Sequence, residues 1–101
     1  MPSRAWPWPF EDPPETPVVT TTQVTQHGMP ILYVSHELDE DGDPTWQFHC
    51  VVVPFKMEDA QLVRLDTVVA LDASVVPLCD LPVGYAAKRS AIGAPWNRFK
   101  E

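Results

Sequence analysis

With 101 residues, 45% of them hydrophobic and 21% charged, the chain has room for one domain with one modest core and is too apolar to remain disordered. Its net charge of −7 is unevenly spread: between Arg4 and Lys56 lie Glu11, Asp12, Glu15, Glu37, Asp39, Glu40, Asp41 and Asp43 with no further cation, whereas Lys88, Arg89, Arg98 and Lys100 gather near the C-terminal end. Such a field works against nucleic acid and anionic membrane surfaces, both of which need clustered cations, and favours a basic protein partner.

Taken in chain order, the first seventeen residues hold Pro2, Pro7, Pro9, Pro13, Pro14 and Pro17, and proline's fixed φ and missing N–H exclude a helix or a central strand there. Residues 1–17 therefore read as an extended arm and 18–101 as a single domain. The segment "WPWPF" is stiff, so ordering it costs little entropy; Trp6 and Trp8 could dock on a partner, and with Phe10 they could equally pack on their own domain or on a second copy. No apolar run suits a signal peptide or reaches the ~20 residues of a membrane helix, so a cytoplasmic protein with reduced Cys50 and Cys79 is expected.

"PVVTTTQVTQHG" predicts a first strand over about 18–25. "PILYVSHEL" and "TWQFHCVVV" flank "DEDGDP" and predict a hairpin turning on Asp41 and Gly42. That turn pairs Phe48 with Ser35, Cys50 with Tyr33 and Val52 with Ile31. It makes Ile31, Tyr33, Trp46, Phe48, Cys50 and Val52 the core face, and gives Leu32, Val34, His36, Gln47, His49, Val51 and Val53 to the reverse face.

After a polar connection through Pro54, "LVRL" predicts a short strand. Asp66 before "TVVAL" and Asp72 before "ASVVPLCD" are placed to cap two short helices, the second limited to one or two turns by Pro77. "DLPVG" reads as a turn, "YAAKRS" as a strand, "AIGAP" as a loop and "WNRF" as a last strand. The expected architecture is α+β: an antiparallel sheet of four or five strands with two short helices on one face.

These residues invite three kinds of site. Asp39, Asp41 and Asp43 are spaced like the first ligands of a calcium loop, but Pro44 stands where glycine must bend the chain and Cys50 where a bidentate acid must close it. His36, His49, Cys50 and Cys79 have the chemistry of a zinc set, but adjacent strand residues His49 and Cys50 point to opposite faces. No nucleophile elbow, glycine-rich phosphate loop or HExxH motif occurs, so no enzyme, metal or cofactor is expected; a small enzyme would need an unrecognised pocket around His36 or His49. The residues left for partner binding are Asp39, Glu40, Asp41 and Asp43 at the hairpin tip, with Trp6 and Trp8 of the arm.

Over about residues 20–96, "ILYVSH", "DGDPTWQFHC" with Trp46 and Phe48, and "DASVVPLCDLPVGYAAKR" with Asp72, Pro77, Leu78, Asp80, Pro82, Gly84, Ala87 and Arg89 carry a further signal. In these the sequence resembles a bacterial domain-of-unknown-function family, grouped as the thirty-third class of immunity proteins of polymorphic toxin systems. The resemblance implies a small α+β protein that neutralises a toxin by binding it, without catalysis or cofactor. A basic toxin domain is then the expected partner, and a homodimer built through the arm is the alternative.

Overall fold

The structure, a computed structural model, describes residues 8–50 and 57–101. Trp6, Val51, Val52, Val53 and Pro54, on which several expectations fell, lie outside the described residues. The described strands are β1 (Pro17–Thr21), β2 (Tyr33–Leu38), β3 (Pro44–His49), β4 (Ala60–Arg64), β5 (Tyr85–Lys88) and β6 (Asn97–Lys100). Between them are α1 (Thr22–Thr25), α2 (Leu65–Leu71), a 3-10 turn at Met57–Asp59 and a 3-10 helix at Ala73–Leu78. The Cα radius of gyration, 13.1 Å, matches the ~13 Å of a compact 100-residue domain. No helix among the described residues is long and apolar enough to cross a membrane.

The fold is α+β, but its sheet is mixed and six-stranded, in the order β4-β1-β3-β2-β5-β6. The expectation of four or five antiparallel strands is corrected by the neighbours of the hairpin. β5 occupies the outer edge of β2, so β1 lies instead against β3, two passes later in the chain and hence running the same way. That pair is parallel at Val19 and Gln47, whereas the other four pairs are antiparallel. The first strand is also shorter than expected: Thr22–Thr25 turn into α1, which brings Val24 into the core.

The hairpin register differs by one residue from the expected one. Val34 faces Phe48, His36 faces Trp46 and Tyr33 faces His49, because the connection is a five-residue loop, 39–43, rather than a two-residue turn. A slip of one residue exchanges the faces of one strand relative to the other. Trp46 and Phe48 remain in the core, but their neighbours there are Val34 and His36, and Tyr33 moves to the opposite face. Ile31 and Cys50 are buried as expected, although both flank the paired strands.

Val18, Val34, Trp46, Phe48 and Ala87 share one face of the sheet, and Leu65, Val68, Val69, Val75, Leu78 and Leu81 cover them from α2, the 3-10 helix and the turn after it. Asp72 caps the 3-10 helix as expected, its carboxylate accepting from the Ser74 N–H at 3.0 Å. Asp66 does not cap α2. The N–H groups of Leu65 and Asp66 donate instead to the carbonyls of Thr16 and Pro14, at 2.8 and 2.9 Å, so the arm satisfies the helix start and leaves Asp66 to pair with Arg64. The described part of the arm thus packs on its own chain. Phe10 meets Trp46 edge-on with ring centroids 5.3 Å apart, and Trp8 lies against Phe10 at 5.7 Å.

Candidate functional site

The hairpin tip is held by its own backbone and by one side chain. The Asp39 N–H donates to the Asp43 carbonyl at 2.8 Å and the Gly42 N–H to the Asp39 carbonyl at 3.0 Å. Asp39 Oδ1 accepts from the N–H groups of both Asp41 and Asp43, each at 2.9 Å. Gly42 has φ of +81°, a conformation that only glycine adopts without strain. Asp39 is therefore spent inside the turn, while Glu40, Asp41 and Asp43 are exposed and form no ion pair among the described residues.

Below the tip the surface becomes apolar. Leu38, 56% exposed, pairs with Pro44 at the base of the hairpin, and Val83, 42% exposed, precedes β5 on the neighbouring side of β2. Between the hairpin, the arm and the turn 79–83 lies a cleft of about 490 Å³. The arm contributes Pro9, Glu11 and Asp12, the hairpin His36, Pro44 and Trp46, and the turn the segment from Cys79 to Val83.

Polar contacts fix the cleft's walls. Trp46 Nε1 donates to Asp12 Oδ2 at 2.9 Å and Trp8 Nε1 to the Asp12 carbonyl at 2.6 Å, so Asp12 ties the arm to the hairpin. The His36 ring stacks on Trp46 at 3.9 Å with 8° between planes, and its Nδ1 lies 2.7 Å from the Leu81 carbonyl. A carbonyl can only accept, so Nδ1 carries the proton. Nε2 is buried and without a hydrogen-bond partner among the described residues. On the outer wall Arg98 Nη2 donates to Asp80 Oδ1 at 2.7 Å, and this guanidinium holds the Asp80 carboxyl below the usual carboxylate range.

His36 and His49 do not meet in one pocket. Strand alternation sends His49 to the opposite face of the sheet, beside Tyr33 with ring centroids 6.2 Å apart. Its Nε2 lies 3.0 Å from Gln47 Oε1. Burial pushes the His49 pKa down, against the pull of Glu37. On that same face Tyr33 Oη donates to Glu101 Oε2 at 3.2 Å, and the Glu101 carboxyl is pushed up by burial and by the negative charge of Glu37.

Of the residues expected to bind a partner, Asp39, Glu40, Asp41 and Asp43 come together at the tip. Trp8 is half-buried in the arm's packing, and Trp6 is outside the described residues. The two thiols are free, Cys50 buried and Cys79 half-buried in the cleft wall. Among the described residues no three His, Cys, Asp or Glu side chains are grouped to hold a metal ion. Sequence reasoning missed the cleft because its walls come from three separated segments. The one available signal was the indole N–H of Trp46, which needs an acceptor when buried. Compared with family models, curated proteins and solved structures, the chain gives no match.

Proposed function

We propose that this protein is a small acidic binding module that grips a basic protein partner through its hairpin tip, in the manner of an immunity protein that neutralises a toxin in the cytoplasm. The observation that carries this reading is the tip itself: three exposed acids, Glu40, Asp41 and Asp43, mounted on a loop that Asp39 has already ordered. Preorganisation lowers the entropy cost of binding, and unpaired surface carboxylates steer a basic partner toward the site. Exposed Leu38 and Val83 beside the tip add the apolar contact area that a charged patch alone lacks. The catalytic alternative has less support, since of the two histidines only His36 lines the cleft and His49 lies on the opposite face of the sheet beside Tyr33.

The test is capture from a lysate of the native host, with the full chain as bait and the Asp41→Ala/Asp43→Ala variant as control. Enrichment of a specific basic protein by the parent chain, lost with the variant and weakened by added salt, supports the reading. A partner retained equally by both baits at every salt concentration rejects it. A dimeric mass in light scattering for the purified chain would instead favour self-association.

A further inference from the structure

We infer that the cleft below the hairpin is a receptor for a single arginine side chain projecting from the partner's surface; this rests on the binding reading above and names the chemistry it recognises. The cleft joins two properties that an arginine also joins. Pro9, Pro44, Pro82 and Val83 supply apolar wall for a three-carbon stem, and Glu11, Asp12 and Asp80 supply carboxylates for the guanidinium. Among the described residues neither Glu11 nor Asp12 pairs with a lysine or arginine, so no described cation neutralises the arm side of the cleft. Asp80 already accepts from one guanidinium, that of Arg98, and only one of its oxygens is used in that ion pair.

The back of the cleft favours a planar cation over a compact one. One face of the His36 ring lies flat on Trp46, and the half-buried ring lines the cleft with its Nδ1–H committed to the Leu81 carbonyl. A guanidinium stacks flat on such a ring and meets two carboxylates with a rigid fork of donors, whereas an ammonium is a compact, strongly hydrated charge with no plane to stack. The cleft sits at the base of the hairpin whose tip carries Glu40, Asp41 and Asp43, so one basic surface can reach both.

The test is a titration of the ¹⁵N-labelled full chain with Nα-acetyl-arginine amide, compared with the lysine and leucine analogues. Saturable shifts of the Trp46 indole N–H and of the His36 and Asp80 amides are expected with arginine, with weaker shifts for lysine and none for leucine. Glu11→Gln, an exposed change that leaves the packing intact, should weaken arginine binding by about threefold, the size of one exposed ion pair. An unmoved Trp46 indole, or equal shifts with leucine, overturns the inference. Shifts confined to residues 39–43 overturn the cleft while leaving the tip's role standing. Arginine binding in the cleft, with lysate capture indifferent to the tip variant, keeps the cleft and rejects the tip.

Discussion

Arg89 Nη2 donates to Asp72 Oδ2 at 3.0 Å, with the arginine side chain only 1% exposed, and this contact joins the sheet to the helical layer. Arg89 Nε and Nη2 also donate to the Ile31 carbonyl at 3.1 and 2.9 Å. The Trp96 ring lies 4.3 Å from the guanidinium carbon, and Trp96 Nε1 donates to the Ser74 carbonyl at 2.9 Å. One buried cation thus ties together the entry to β2, the cap of the 3-10 helix and the loop before β6.

Removing that cation leaves Asp72 Oδ2 and the Ile31 carbonyl without their arginine donor, although Asp72 Oδ1 keeps the Ser74 N–H. Arg89→Met should lower stability by about 3 kcal/mol, the cost of breaking a buried ion pair from one side, and reduce Tm by more than ~10 °C. Arg89→Lys should recover little, because lysine cannot deliver two donors to one carbonyl and a third to Asp72. Thermal unfolding followed by circular dichroism distinguishes these outcomes; a lysine variant as stable as the parent would show that charge alone suffices.

The hairpin tip separates a structural acid, Asp39, from the exposed acids proposed to bind a partner. Asp39→Ala removes the acceptor of two backbone N–H groups and should cost about 1 kcal/mol, whereas Asp41→Ala and Asp43→Ala should stay within ~0.5 kcal/mol. Gly42→Ala should cost about 1 kcal/mol through its positive φ alone, since a methyl group there meets nothing within 4 Å. Urea denaturation of the four variants gives the ranking, and equal losses at 39, 41 and 43 would contradict the side-chain bonds described.

His49 should make the protein acid-sensitive. Its pKa is lowered in the fold by burial, so between the ordinary value of 6.5 and the lowered one the unfolded chain binds more protons than the folded one. Stability therefore rises with pH in that window and is lost as pH falls through it. His49→Gln should flatten the stability profile just below pH 6.5, and an unchanged slope would place the acid sensitivity elsewhere.

Glu101 should behave in the opposite sense. Its carboxyl is pushed above the ordinary 4.5 by burial and by Glu37, so its contribution is present at low pH and is lost as pH rises through the raised value. Glu37→Gln should lower the Glu101 midpoint toward 4.5 in a ¹³C-detected carboxyl titration. Gly84 stands between the two strands here, its N–H donating to the His36 carbonyl and its carbonyl accepting from the Glu101 N–H, at 2.7 and 2.9 Å. An unmoved midpoint would mean that burial alone displaces Glu101.

What the sequence determined by itself is what local chemistry decides. Asp72 and Pro77 specified a short capped helix, the alternation of Trp46 and Phe48 specified the buried side of β3, and "DEDGD" specified an acidic connection between paired strands. These depend on neighbours within a few residues. The one-residue register, the parallel placement of β1 against β3 and the failure of Asp66 to cap α2 depended on segments far apart in the chain. A five-residue loop and a two-residue turn are both open to the same acids, and the choice fell to the burial of Val34 against Phe48. The cleft was hidden for the same reason: Asp12, His36 and Asp80 meet only because the arm, the hairpin and the turn after the 3-10 helix pack around Trp46, and no spacing in the sequence records that meeting.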